Sequence, residues 1–233
     1  MANDGKRVRI RRTKATIIED IRKAAVESVL KRGFSGSLVS EIIKKAKIEP
    51  VVFYNRYQNL EEFFSEFVKG YDYWFSDVAK EANKRETSYD QFIALIEGLQ
   101  ECMIEKSVMQ ELIRWEIAEG NDITKRTASI REMFTIPLAE KYDDLFKNSG
   151  IDFVAIATII VSGLYYLYLH KDRSTFCNID MNTEEGRDRI NQAIKFLSEL
   201  LFSKRNIGKE NNDYVQIMGK NMERQPTASG YGS

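Results

Sequence analysis

Residues 32–59 read RGFSGSLVSEIIKKAKIEPVVFYNRYQN, and this stretch decides the fold of the first part of the chain. Immediately before it, apolar residues recur at helical spacing over residues 17–29, and Gly33 follows where such a helix would end. Within it, one short apolar-periodic run follows Ser37 and another follows Pro50, a residue that is tolerated in the first turn of a helix. The sequence therefore predicts three helices joined by two short turns.

The rest of the chain also has helical rather than strand periodicity. Only three prolines interrupt the 233 residues, and neither an extended β-type alternation nor an internal repeat is present. Helices are predicted over 59–78, from Ser88 to about Met103, and over 107–119, 122–148, 152–171 and 184–203. We expect an all-α protein made of a basic arm with a three-helix helix-turn-helix domain (1–57), a larger helical effector-binding and dimerisation domain (58–205), and a polar, disordered tail (206–233).

Charge is distributed unevenly along the chain. The 35 basic and 35 acidic residues cancel overall, but residues 1–57 hold 14 lysines and arginines against six acidic residues, a net charge of +8. Residues 58–233 consequently carry a net charge of −8. A basic first part followed by an acidic one is typical of a domain that binds a polyanion joined to a domain that does not. Clustering by chance is the alternative.

Several classes of protein are disfavoured by composition. Two cysteines and one histidine provide neither a disulfide framework nor a metal site, so we expect no metal and no cofactor. We find no nucleophile–base set and no phosphate-binding glycine loop, which argues against an enzyme. The N-terminus lacks an apolar signal core, which predicts a cytoplasmic protein. The uncharged segment 153–169 is shorter than a typical membrane span, so we expect no membrane partner and instead burial at a subunit interface.

The three predicted helices have the layout of a helix-turn-helix unit, in which the helix after the turn presents side chains to the major groove of DNA. Residues 6–14 add six basic residues in nine, which suits phosphate contacts. Double-stranded DNA is therefore the expected partner. The candidate DNA-binding residues are Arg7, Arg9, Arg11, Arg12 and Lys14 in the basic arm, Ser37 and Ser40 near the second helix, and Val51, Val52, Tyr54, Asn55 and Arg56 in and after the third.

Residues 14–64 resemble the DNA-binding region of the TetR family of bacterial transcriptional regulators. The similarity is carried by Ala24-Ala25, Leu30, Gly33-Phe34, Val39, Ile42, Ala46-Lys47-Ile48, Phe53-Tyr54, Tyr57, Glu61 and Phe63, and it covers the first quarter of the chain. The resemblance implies a ligand-responsive regulator, expected to be a repressor, that binds a palindromic operator as a homodimer. It also implies that a small-molecule effector binds the larger C-terminal domain and releases the DNA.

Four positions depart from the pattern of that family. Lys47 stands where glycine is usual in the turn, which places a side chain at a left-handed position. Leu38 and Val52 replace residues that commonly carry hydroxyl groups, and Leu60 replaces a lysine that meets a phosphate in many members. These departures favour the alternative function, a helical small-molecule-binding or protein-interaction module whose helix-turn-helix no longer reads DNA.

Residues for the effector site and the dimer interface are nominated from side-chain type and spacing. Aromatic side chains on the central helices suit the wall of a ligand pocket, although core filling is the alternative. These candidates are Tyr71, Trp74, Trp115, Phe134, Tyr165 and Tyr166. An a/d-type apolar seam formed by Ile190, Ile194, Leu197 and Leu201 predicts a dimer interface together with helix 153–169, with an intramolecular core face as the alternative.

Overall fold

The computed structural model describes residues 12–71 and 74–222, with residues 206–222 as backbone only. Their helices are α1 (Lys14–Arg32), α2 (Val39–Ala46), α3 (Pro50–Tyr54), α4 (Leu60–Phe67), a 3₁₀ helix (Val68–Gly70), α5 (Trp74–Ala82), α6 (Ser88–Glu105), α7 (Ser107–Ala118), α8 (Asp122–Phe146), α9 (Phe153–His170) and α10 (Glu184–Met222). Within these ranges the β-structure is limited to an isolated bridge between Phe176 and Ile179. The predicted all-α fold is confirmed, with a helix-turn-helix followed by a larger set of helices.

Short-range capping signals fix the ends of the first helices. Thr13 caps α1, because its Oγ1 accepts a hydrogen bond from the Thr16 N–H at 3.1 Å. Gly33 ends α1 with φ +73°, a backbone conformation that glycine adopts at low cost. Asn59 caps α4 by accepting from the Glu62 N–H at 2.8 Å. The sequence predicts the Gly33 and Asn59 ends correctly, because a cap involves residues only a few positions apart, but it places the start of α1 at Thr16, three residues after the observed cap Thr13.

The prediction of one continuous helix over 59–78 is wrong. Helix α4 ends at Phe67 and the chain tightens into the 3₁₀ helix, where the Tyr71 N–H donates to the Val68 carbonyl at 2.8 Å. Gly70, which has low helix propensity, lies at this interruption. The apolar stripe continues at helical spacing on both sides, so periodicity alone could not locate the break.

The described chain divides into two compact units. The first unit comprises the residues up to Trp74 together with Met103–Arg131, and the second comprises Phe75–Cys102 with the residues from Glu132 onward. The boundary after residue 57, which separates the expected DNA-binding part from the expected effector-binding and dimerisation part, remains a prediction. The core of the first unit is built from fully buried side chains of five helices, among them Ile21, Val29, Ile42, Phe53, Phe63, Phe67 and Leu112.

The second unit has an aromatic core of its own. Phe153 of α9 stacks on Phe146 of α8 at 4.4 Å between ring centroids and meets Phe92 of α6 edge-on at 4.9 Å. Helix α10 extends to Met222 and so covers part of the segment 206–233 that we expected to be a disordered tail. The chain contains no proline between Pro137 and Pro226, so no proline interrupts that helix. Residues 223–233 lie outside the described residues.

Candidate functional site

The turn between α1 and α2 is held from inside the protein. Phe34 follows Gly33 and buries its ring in the core of the first unit. The Ser37 hydroxyl donates to the Gly33 carbonyl at 2.9 Å, and only 3% of the Ser37 surface is exposed. The sequence predicts Ser37 as a DNA contact. Its hydroxyl is instead hydrogen-bonded within the turn and its side chain is buried, so Ser37 is not part of the candidate surface.

The turn between α2 and α3 is tight and left-handed. Lys47 has φ +53° and ψ +47°, the left-handed conformation expected for this position, and the next N–H, that of Ile48, donates to the Ile43 carbonyl at 3.3 Å. Glu49 then occupies the N-cap position of α3 without a capping hydrogen bond from its side chain, and Pro50 lies in the first turn. The turn forms with lysine in place of glycine, so this departure changes the energy of the turn rather than its geometry.

Helix α3 has one buried side and one exposed side. Phe53 is completely buried and meets Tyr57 and Phe63 at ring-centroid distances of 5.4 and 5.8 Å. On the other side, Val51 is 60% exposed and Tyr54 is 52% exposed, and Asn55 follows as an exposed residue. A short helix anchored by one aromatic residue with a solvent-facing side is the arrangement that a groove-reading helix needs.

Two arginines nominated as DNA contacts are tied to the protein. Arg12 pairs with Asp20 at 2.8 Å and also donates to the carbonyls of Ala46 and Lys47 at the end of α2, at 2.9 Å for Ala46. Arg56 folds back on its own helix, and its Nη1 donates to the Val52 carbonyl at 2.6 Å. Arg12 therefore fixes the chain entering α1 against the end of α2, a role that the sequence did not indicate.

The remaining nominated residues differ in exposure. Lys14 and Ser40 are exposed, at the first residue of α1 and the second of α2. Val52 is half-buried. Arg7, Arg9 and Arg11 lie outside the described residues. The exposed candidates that remain are Lys14 of α1, Ser40 of α2, and Val51, Tyr54 and Asn55 in and after α3. We call this set the α3 surface.

The helix-turn-helix is packed against α7 within the first unit. The Trp115 ring stacks on Phe34 with centroids 4.7 Å apart and planes 5° apart. Glu119, just after α7, accepts from the Ser35 hydroxyl and from the Trp115 indole N–H, the latter at 2.9 Å. The hydrogen bond from Ser35 and, as the smaller effect, the one from Trp115 hold the pKa of Glu119 below its ordinary value. Sequence reasoning missed this contact because its members lie about 80 positions apart.

The six nominated effector residues are divided between the two compact units. Tyr71, Trp74 and Trp115 belong to the first unit, and Phe134, Tyr165 and Tyr166 belong to the second. Trp115 packs on the core through Phe34, as the core-filling alternative stated. Tyr166 is exposed and stacks on His170 with ring centroids 5.1 Å apart. An effector site therefore remains a prediction.

Tyr71 lines a shallow depression of about 510 Å³ on the first unit. Glu19, Arg22 and Lys23 of α1 contribute charged side chains to it. Burial raises the pKa of the Tyr71 phenol, so this group stays protonated at neutral pH. The mixed charges and open shape contrast with the largely apolar, enclosing pockets that hold drug-sized ligands.

The nominated dimer residues share one side of α10 but differ in burial. Ile194 is buried within its own chain, while Leu197 is exposed and Ile190 and Leu201 are half-buried. Ile194 therefore fits the alternative in which this side of the helix packs on the core of its own chain. Phe196, which the sequence reading did not select, is 65% exposed and lies beside Leu197 on α10.

Helix α9 is apolar and only partly covered. Its mean hydropathy is 1.7, only 17% of its residues are buried, and Ile159 is 72% exposed. By length and composition alone this helix could also cross a membrane, a test that core helices of soluble proteins pass as well. Its packed side carries a polar contact, because the buried Tyr168 hydroxyl bonds the Gln100 side chain of α6 at 3.0 Å.

Comparison with known proteins gives a structural match and no sequence match. Neither models of protein families nor curated proteins yield a significant match. Among solved structures, the chain is similar to the fatty acid degradation regulator FadR from Bacillus halodurans, with a TM-score of 0.55 and 16% sequence identity. The match covers 78% of this chain and 96% of that one. At this identity the similarity establishes a shared fold.

Proposed function

We propose that this chain is a cytoplasmic, ligand-responsive transcriptional regulator that binds a palindromic DNA site as a homodimer. The observation that carries the proposal is the α3 surface, where Val51, Tyr54 and Asn55 face solvent from a helix anchored by buried Phe53. The net charge of +8 on residues 1–57 supports binding to a polyanion. The fold shared with a regulator is consistent with this function.

The second copy in the homodimer would cover the apolar faces of α9 and α10. Ile159 and Tyr166 lie seven residues apart on one face of α9, and Phe196, Leu197 and Leu200 lie on one face of α10. Two such helices from each chain form a four-helix interface about a two-fold axis, which buries the same surface on both subunits. A dimer also provides two helix-turn-helix units for the two halves of a palindrome.

Release by a small-molecule effector and action as a repressor complete the proposal. Both come from the resemblance of residues 14–64 to the TetR family. An effector would act by binding more tightly to the dimer whose two α3 surfaces are wrongly spaced for the operator. By linkage, bound operator would weaken effector binding by the same factor.

Selection of genomic DNA fragments on the purified chain tests the DNA-binding function. An enriched palindrome is expected, with affinity that falls as salt rises. Lys14→Ala should reduce the slope of log affinity against log salt by about 0.9, the value for one phosphate contact. Lys125→Ala, a matched change at an exposed lysine of α8 in the same unit, should leave the slope unchanged. No enrichment at low salt would refute the proposal.

Sedimentation equilibrium tests the dimer. Phe196→Glu is expected to weaken dimerisation at least 100-fold, because it places a charge in an apolar interface. Asn83→Glu adds the same charge at an exposed position after α5 and should leave the dimer intact. A wild-type chain that stays monomeric at 100-fold different loading concentrations would contradict this part of the proposal.

A second candidate function is a helical module that binds a partner or small molecule without reading DNA. The exposed apolar side chains Leu38 and Val51 favour it, because both also suit contact with a protein. The DNA selection separates the two functions, since only a regulator enriches a defined sequence.

A further inference from the structure

The exposed side of α3 combines an aliphatic group with an amide. Val51 and Asn55 lie four residues apart and therefore project from the same side, with the exposed Tyr54 beside Val51. Val51 has 60% of its surface exposed, although the helix already has a fully buried anchor in Phe53. Most of the Val51 side chain is therefore uncovered and is available to a partner outside the unit.

Helix α3 has no cationic side chain that could bind guanine. The helix contains no lysine or arginine, and Glu49 at its N-cap is a carboxylate that cannot donate to guanine. The nearest arginine, Arg56, is folded onto the Val52 carbonyl, and Arg12 is held by Asp20 and the end of α2. Lys47, which lies before the N-cap and is exposed, remains available for a phosphate.

The chemistry that matches this face is an A·T base pair. Thymine is the base that carries an apolar group, its C5-methyl, on its major-groove edge, and asparagine forms a paired hydrogen bond with N6 and N7 of adenine. We propose, building on the proposed function, that each half-site contains a thymine whose C5-methyl packs against Val51, and that Asn55 reads an adenine of the same or the adjacent pair. Specificity then comes from a methyl contact rather than from an arginine–guanine pair.

Replacing single thymines by uracil tests this inference, because uracil differs from thymine by the methyl group alone. The duplex is the palindrome enriched by the chain, and each thymine is replaced symmetrically in both half-sites. Fluorescence anisotropy at fixed salt gives the affinities. One thymine position should cost about 16-fold when replaced in both half-sites, or about fourfold for each buried methyl-sized group.

The protein variants assign that methyl contact to a residue. With Val51→Ala, the uracil penalty at the same position should fall to less than twofold, and with Val51→Thr it should be intermediate. Leu30→Ala removes an exposed aliphatic residue from α1 and should retain the full penalty. Asn55→Ala should reduce the preference for adenine at its pair without changing the uracil penalty.

The outcomes separate this inference from the function on which it rests. If the enriched palindrome binds tightly but no uracil substitution costs more than 1.5-fold, the methyl contact is refuted while DNA reading stands. A penalty that persists in Val51→Ala also refutes it, because another side chain then reads the methyl. If no palindrome is enriched, the proposed function is refuted, and the inference that rests on it is refuted as well.

Discussion

Trp115 and Phe34 stack almost parallel, with ring centroids 4.7 Å apart, although 81 positions separate them in the chain. The stack ties α7 to the turn that positions α2, and Phe64 meets the Trp115 ring from the side at 6.1 Å. The helix-turn-helix is thus part of a core that includes α7, rather than a three-helix bundle that stands alone.

Trp115→Ala should destabilise the first unit by about 2–3 kcal/mol, less than the cost for a fully buried aromatic residue, because Trp115 is a partly buried side chain packed against the core. Trp115→Phe keeps a ring against Phe34 but loses the indole hydrogen bond to Glu119, so a smaller loss, on the order of 1 kcal/mol, is expected. Urea denaturation followed by circular dichroism measures both values. Equal losses for the two variants would show that the stack contributes little.

The pKa of Glu119 should lie below the usual value for glutamate. The Ser35 hydroxyl and then the Trp115 indole stabilise its ionised form, which lowers the pKa. Since the folded-state pKa is the lower one, the contribution of Glu119 to stability is present above the unfolded pKa and is lost as pH falls through the folded pKa. Carboxyl NMR titration should show the pKa rising in Ser35→Ala. An unchanged pKa in that variant would exclude the hydrogen bond.

Arg12→Ala should lower the free energy of unfolding by about 1–2 kcal/mol. The change removes the pair with Asp20 and the hydrogen bonds to the end of α2. Lys23→Ala, which removes the more exposed pair with Glu19 at 3.6 Å, is a matched control that should cost less than about 0.5 kcal/mol. Thermal unfolding of both variants tests this, and equal losses would contradict a structural role for Arg12.

Lys47→Gly should stabilise the chain by up to about 1 kcal/mol, because glycine adopts the left-handed conformation of this turn without a side-chain clash. Gly33→Ala is the opposite change and should destabilise by about 1–3 kcal/mol. A Cβ at Gly33 would lie 3.7 Å from Glu111, in ordinary contact, so the cost arises from the backbone. Chemical denaturation tests both variants.

The second unit should unfold at alkaline pH. Burial raises the pKa of Tyr142 above its ordinary value of about 10, so the contribution of its protonated phenol to stability is fully present below pH of about 10 and is lost as pH rises towards the folded-state pKa. Tyr142→Phe should move this transition to higher pH, at a cost of about 1 kcal/mol for the lost 3.1 Å hydrogen bond to the Ser88 carbonyl. Circular dichroism across the alkaline range provides the test.

Tyr54→Phe is the control for that alkaline experiment, because Tyr54 is exposed. It should leave the transition where the wild-type chain has it. A transition that stays in place in Tyr142→Phe would assign alkaline unfolding to other groups.

Local features of this fold could be predicted from sequence. The Gly33 and Asn59 caps, the left-handed Lys47 and the all-α character depend on residues within a few positions of each other. Periodicity also placed most helices within a few residues. It could not place the break at Val68–Gly70, because the apolar pattern is the same on both sides.

Features that depend on distant residues could not be predicted in this way. Arg12 looked like one more cation of a basic arm, and only its position beside Asp20 and Ala46 shows that it also holds the fold. The seam on α10 combined Ile194, which is buried, with Leu197, which is exposed, because a heptad pattern does not state what covers each face.

The uncovered apolar face of α9 has a consequence for gene dosage. If Ile159 and its neighbours are covered only when two chains pair, the dimer forms by mass action. At total protein concentrations below the dissociation constant, the concentration of dimer then rises with the square of the amount of protein synthesised. Halving expression would then remove about three quarters of the pairs.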